Sequence, residues 1–317
     1  MIDTIICGEC LDVLSSMEAE TVDCVITSPP YWGLRDYGID GQIGLEPTFQ
    51  EYITKLQTIF DEVFRVLKKT GTCWVNIGDT YGSGKGERAP DKPNWKLHAT
   101  ENMPCMTAQR ERPPLKGYEK SLCNIPFRFA ISMTDNNWIQ RNTIIWHKPS
   151  CMPSSAKDRF TVDFEYVFLF SKNKKYYFEQ QFEGYSDATM ERVKYGQKNT
   201  YKSDRVTHAH GIIRNDRSAL INKSMERIAN GTNRGRNRRT VWCINPQPFK
   251  DAHFAVFPEK LVEPMIKAGC PSAGAVLDPF VGSGTTALVA RKLGRHYVGI
   301  DLNEDYVAMA NKRLSEV

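Results

Sequence analysis

The chain lacks any run of 18 apolar residues, so no membrane-spanning helix is expected. Its first residues, MIDTIICGEC, lack a basic stretch leading into an apolar one, so no secretory leader is expected either. No second Cys-x-x-Cys answers Cys7 and Cys10, and one such pair supplies half of a four-ligand zinc site. The nine cysteines are scattered and odd in number, which fits reduced thiols in a cytoplasm. Gly82-Ser-Gly-Lys-Gly86 lacks the spacing of a phosphate-cradling P-loop. Membrane, secreted and metal-dependent classes are thereby set aside.

What is present is an ordinary globular balance. Of 317 residues, 41% are hydrophobic and 25% charged, enough for one large α/β domain or a domain with an insertion. The net charge of +5 is unevenly spread: residues 186–245 carry 13 Lys/Arg against 5 Asp/Glu. A basic segment on a near-neutral body points to a polyanionic partner. A solvated loop region gives the same composition, so charge alone does not decide.

Apolar periodicity gives the order of elements. Thr4–Ile6 and Val22–Ile26 read as strands around a short helix through Leu11, Val13, Leu14 and Met17, a pattern that predicts a parallel pair. Glu51–Leu67 has helical spacing, and Cys73–Ile77 reads as a strand ending at Asp79. Residues 82–118 are rich in Gly, Pro, Lys and Arg without a period, and are expected to be functional or mobile. Ser121–Met133 predicts a helix and Asn142–His147 a strand. Phe164–Phe170, a turn at 171–175 and Tyr176–Phe178 predict a hairpin. A helix is expected through Phe254–Ile266, opened by Pro258. Residues 275–314 read as one βαβα unit.

Two bends carry the chemistry. Thr27-Ser28-Pro29-Pro30-Tyr31-Trp32 ends a strand with two prolines, which have carbonyls but no N–H. A hydroxyl and two aromatic rings stand beside those acceptors, a setting suited to an exocyclic amine on a flat heterocycle. The plain alternative is a turn with two core aromatics. At the other end, Asp278-Pro-Phe280-Val-Gly282-Ser-Gly284-Thr285-Thr286 is a glycine-rich bend opening a helix. Asp301 lies 23 residues after Asp278, at the tip of the next strand, where a carboxylate reaches ribose hydroxyls. An adenosyl ligand follows. Ala287 stands where a dinucleotide site has its third glycine, so spacing alone leaves NAD open.

Together the two bends resemble the amino-group DNA methyltransferases, in the circularly permuted β order with the catalytic motif first and the cofactor motif last. Gly8-Glu9-Cys10 resembles the acidic turn beside the cofactor's adenine. Phe254–Leu261 (FAVFPEKL) resembles the segment that closes over its methionine, and Trp146-His-Lys148 and Phe164-Glu165-Tyr166 resemble later core motifs. The resemblance covers about residues 4–81, 120–178 and 240–317. It implies a doubly wound, mostly parallel Rossmann-like sheet, with 1–185 and 240–317 forming one core and 186–239 inserted as a target-recognition region.

It further implies S-adenosyl-L-methionine as methyl donor, held by Glu9, Asp79, Phe257, Asp278, Phe280, Gly282, Gly284, Thr285, Thr286 and Asp301. Ser28, Pro29, Pro30 and Tyr31 are then the catalytic set, with Trp32 assisting Tyr31 in stacking on a base flipped from the duplex. Arg234, Arg236, Arg238 and Arg239 are expected on DNA phosphates. Serine before Pro-Pro-Tyr implies cytosine N4, with adenine N6 as the alternative. The implied partners are double-stranded DNA and a companion restriction endonuclease, in a prokaryotic or phage-infected cytoplasm, with room for a homodimer and none for a metal or membrane. An oxidoreductase, a non-catalytic DNA-binding protein and an RNA or protein-amide methyltransferase are the rival readings.

Overall fold

Eight strands form one sheet in the computed structural model, which describes residues 2–34, 38–82, 117–195, 226–228, 235–247 and 257–317. In chain order the strands are β1 (Thr4–Cys7), β2 (Val22–Thr27), β3 (Leu67–Ile77), β4 (Ile139–His147), β5 (Phe164–Ser171), β6 (Phe182–Glu183), β7 (Arg236–Asn237), β8 (Val241–Cys243), β9 (Ala275–Asp278) and β10 (His296–Asp301). The large sheet runs β1-β10-β9-β2-β3-β5-β4-β8, and β6 pairs with β7 alone. Every neighbouring pair from β1 to β3 is parallel. β5 is reversed against both β3 and β4.

The helices are α1 (Cys10–Ser16), α2 (Phe49–Val66), α3 (Ile125–Asp135), α4 (Asp187–Tyr195), α5 (Glu259–Gly269), α6 (Thr285–Lys292) and α7 (Glu304–Ser315). Two apolar cores flank the sheet. One gathers Leu14, Phe49, Tyr52, Phe60 and Phe129 from α1, α2 and α3. The other gathers Leu261, Met265, Leu288, Ala310 and Leu314 from α5, α6 and α7. The strands between them are buried on both faces, which is why β2 and β9 read as continuous apolar runs.

The ends of the chain meet in the middle of the sheet. Cys24 and Val25 of β2 register with Val276 and Leu277 of β9. From β9 the chain passes through α6 to β10 on one side; from β2 it passes through α2 to β3 on the other. The winding reverses between β9 and β2, the place where open α/β sheets bind ligands.

Several boundaries differ from the expected ones. The predicted 164–178 hairpin does not form. β5 has β3 on one edge and β4 on the other, so no edge is left for residues 176–178, and Tyr177 N instead donates to Thr70 O at 2.8 Å. β3 begins at Leu67, so Lys68 belongs to the strand and pairs with Asp23. α3 begins at Ile125, four residues later than expected. α5 starts after Pro258, so Phe257 precedes the helix.

The chain divides into two compact units, Met1–Glu179 with Thr240–Val317, and Gln180–Arg239. The second holds α4 and the β6–β7 pair, in which Phe182 faces Asn237 and Glu183 faces Arg236. Arg234, residues 254–256, nearly all of 82–118 and most of 186–239 lie outside the described residues. The described roots of 82–118 are joined, with Gly82 N donating to Ser121 O at 2.8 Å. Among the described residues, no helix is long and apolar enough to cross a membrane.

Candidate active site

Because β2 and β9 are neighbours, the bends that follow them leave the same edge of the sheet. They open on a cavity of about 520 Å3, a size ordinary for a small-ligand site. Ser28, Pro29, Pro30 and Tyr31 line it from one bend; Phe280, Gly282 and Thr285 line it from the other. Glu9, Phe257 and Asp301 also line it.

Asp278 fastens the bends together from beneath. Its Oδ1 accepts from Thr27 Oγ1 at 2.6 Å and its Oδ2 from Thr286 Oγ1 at 2.7 Å. Phe280 N donates to Oδ1 at 3.1 Å. Burial pushes the Asp278 carboxyl up to about 6, against the pull of these three donors. Asp278 and Thr286 are 1% exposed and do not reach the cavity wall. The expectation put them on the cofactor; in the structure their side chains bond to each other, and Asp278 also to Thr27.

At the glycine bend, Gly282 N donates to Asp301 Oδ2 at 2.8 Å, and Asn303 N to Oδ1 at 2.9 Å. Burial raises the Asp301 carboxyl above its ordinary range. Gly284 caps α6 with φ of +81°, a conformation glycine adopts without strain. A Cβ there would sit 2.7 Å from the Ala310 methyl, so its bareness serves the approach of α7. Gly284 is likewise absent from the cavity wall. Glu9 caps α1, its Oε2 accepting from Leu11 N at 2.8 Å and Asp12 N at 3.0 Å.

The proline corner is held by side chains. Tyr52 Oη donates to Pro30 O at 2.8 Å. Tyr31 Oη donates to Glu165 Oε2 at 2.7 Å. Burial and then the Glu165 charge push the Tyr31 phenol well above its ordinary value. A Cβ on Gly78 would lie 2.6 Å from Tyr31 Cε2, so that glycine lets the ring lie against the exit of β3. Trp32 does not join the cavity. It is 3% exposed, edge-on to Phe49, and donates to Glu46 O at 2.9 Å.

Asp79 is also spent elsewhere. It accepts from Thr80 N, Asn124 N and Ile125 N at 2.8, 3.1 and 3.0 Å, tying the exit of β3 to the start of α3. In the second unit, Arg236 and Arg239 both pair with Glu183, at 2.7 and 2.6 Å, and Arg238 N donates to Gln181 O at 2.9 Å.

Among the lining residues with no role assigned from sequence are Asn76, Trp146, Lys148 and Glu165. Lys148 pairs with Glu165 and lies 4.3 Å over the Trp146 ring. Asn76 Nδ2 donates to Glu165 Oε2 at 3.1 Å. The available signal was strand direction. A reversed β5 brings its first residues, Phe164 and Glu165, to the edge where β3 ends.

The cavity thus has two halves. One offers backbone and an acidic side chain suited to a sugar; the other offers acceptors and aromatic faces suited to an amine on a flat ring. A DNA methylase family model matches residues 22–312. The type II methyltransferase M.Cfr9I of Citrobacter freundii is 41% identical over 308 residues, covering 97% of this chain and 86% of its own. M.SmaI of Serratia marcescens is 38% identical over 312 residues, 98% of this chain and 90% of its own. The solved PvuII DNA methyltransferase (cytosine-N4-specific) has a TM-score of 0.62 at 20% identity, covering 98% of this chain and 85% of that one. A DNA modification methylase of Thermus thermophilus, solved with S-adenosyl-L-methionine, has a TM-score of 0.55 at 20% identity, covering 99% of this chain and 95% of that one. With a family match spanning most of its length and relatives aligned along nearly all of it, the chain belongs to the N6/N4 DNA methylase family and is a DNA methyltransferase.

Proposed function

We propose that this enzyme methylates N4 of a cytosine flipped out of double-stranded DNA, with S-adenosyl-L-methionine as donor. The observation that carries the reading is the shared cavity, which puts Ser28 and Pro29 in one chamber with Gly282 and Asp301. The donor fits the glycine half. Asp301 supplies a carboxylate for ribose hydroxyls, Glu9 a second acidic group at the cavity wall, and Phe257 and Phe280 apolar faces. When bound, the donor supplies an electrophilic methyl on a sulfonium sulfur.

The protein's own groups then act on the amine. The N4 lone pair is delocalised into the ring, so the amine is a poor nucleophile. Ser28 Oγ and the Pro29 carbonyl accept its two protons and stabilise positive charge as it develops there. Tyr52 occupies the Pro30 carbonyl, which leaves Pro29's for the substrate. Tyr31 offers its ring as the stacking face. Holding nitrogen and methyl in line supplies much of the remaining acceleration.

Serine at position 28 favours cytosine over adenine, and the PvuII DNA methyltransferase, which shares the fold, is cytosine-N4-specific. Residues 186–239 are assigned to target recognition, with Arg236 and Arg239 exchanging Glu183 for phosphate. The names of the similar type II methyltransferases support a companion restriction endonuclease and a bacterial cytoplasm. The test is to incubate the protein with donor and mixed-sequence duplex DNA, digest to nucleosides and identify the product by mass. N4-methylcytosine is expected; N6-methyladenine would overturn the choice of base.

A further inference from the structure

The reaction leaves one event without an owner. When the amine takes the methyl it becomes cationic and must lose a proton. A line of polar side chains leads away from the place where the amine is held. Ser28 and Tyr31 stand on the same cavity wall, and the Ser28 side chain draws the Tyr31 phenol's pKa down against the effect of burial. Tyr31 Oη donates to Glu165 Oε2 at 2.7 Å. Beyond Glu165 stands Lys148, bonded to Oε1 and itself on the cavity wall. Asn76 Nδ2 donates to Glu165 Oε2 at 3.1 Å and to Tyr166 O at 3.1 Å, which fixes the carboxylate's orientation. Three elements converge on that carboxylate: the corner after β2, the end of β3 and the end of β4.

We propose that Ser28, Tyr31 and Glu165 form a proton relay that ends on the Glu165 carboxylate. The proposal rests on the amine lying at Ser28. The N–CH3 bond forms as the S–CH3 bond breaks, its electron pair going to sulfur. The methylated nitrogen gives a proton to Ser28 Oγ. Ser28 passes its own proton to the Tyr31 oxygen, and Tyr31 passes its own to Glu165 Oε2. Glu165 ends as a neutral carboxylic acid and later gives the proton to water. The last link already points the right way, with the Tyr31 hydroxyl donating to the carboxylate. Lys148 balances the carboxylate's charge before the reaction and anchors the side chain after it. Glu165 is a positioning and proton-accepting residue; it acts on the substrate only through Tyr31 and Ser28. An amine of either base, cytosine or adenine, would need the same exit.

The test is single-turnover methyl transfer from labelled donor to duplex DNA by the full chain. Tyr31→Phe keeps the ring and removes the relay oxygen. Glu165→Gln keeps the shape and removes the acceptor. Each is expected to slow the transfer step about 100-fold, with donor and DNA affinities within about threefold of wild type. The double variant is expected to be no slower than either single one, because both cut the same line. Lys148→Met combined with Glu165→Gln removes the cation that Glu165→Gln leaves unpaired. The relay predicts that this pair stays slow; recovery to near the wild-type rate would show stranded charge as the cause and overturn it. Wild-type transfer rates in Tyr31→Phe or Glu165→Gln would overturn it as well. The methylated base, identified separately from the wild-type product, decides the cytosine reading, whatever the variants do.

Discussion

At the glycine bend the wall is made by main chain: Gly282 N reaches Asp301, and a bare Gly284 lets α7 close in. At the proline corner two residues have no N–H at all, and side chains do the holding: Tyr52 on Pro30 O, Glu165 on Tyr31 Oη. The first bend tolerates little bulk, and the second tolerates little change of polarity. Each is thus sensitive to a different kind of substitution. Their common support is Asp278, which grips Thr27 of one strand and Thr286 of the helix after the other, 251 and 8 residues away.

That contrast is sharpest in binding and rate. Ser28→Ala should cut turnover about 100-fold or more by removing an acceptor of developing charge, with donor affinity changing less than about threefold. Asp301→Ala should do the converse, weakening donor binding about 10- to 100-fold through lost charge-assisted hydrogen bonds. Its rate at saturating donor should stay near wild type. Calorimetric binding and single-turnover transfer on both variants check the pair; parallel losses in both would erase the distinction between the halves.

Bulk gives the next effect. Gly284→Ala must place a methyl 2.7 Å from Ala310 Cβ on a backbone with φ of +81°. Strain and overpacking should destabilise the fold by about 1–3 kcal/mol, measured by urea unfolding. A neutral result would mean that α7 yields.

The support between the bends should show in the pH dependence of stability. The folded Asp278 carboxyl titrates near 6 because it is buried. Its folded value lies above its unfolded value, so the folded state binds the extra proton. Stability therefore falls as pH rises through the window from about 4 to 6. Two pKa units correspond to about 3 kcal/mol. Asp278→Asn should remove most of that slope in unfolding curves taken across the window. An unchanged slope would place the titration elsewhere.

Much of this was legible in the residues, for reasons that can be named. The βαβα unit at 275–314 was readable because each element is short, apolar and bounded by glycine or aspartate. The two bends were readable because proline and glycine act on their own backbone. The hairpin at 164–178 was misread because strand pairing is set by which edges are occupied, and local sequence carries no record of that. Asp79, Asp278 and Thr286 sit in motifs of the right composition, yet their side chains turn to backbone and to each other. Whether a carboxylate faces a ligand or a neighbouring hydroxyl depends on one rotamer. Trp32 follows Tyr31 directly, but its ring turns into the core beside Phe49. Lys148 and Glu165 became site residues only when β5 was seen to run backwards.

The central claim is that donor and target amine meet between these two bends. A crystal structure of the enzyme with S-adenosylhomocysteine and a short target duplex measures this most directly. The account predicts the ribose on Asp301, the sulfur facing Ser28, and the amino group of an extruded cytosine within hydrogen-bond reach of Ser28 Oγ and Pro29 O. A donor product bound away from Asp301, or a base seated away from Ser28, would contradict it.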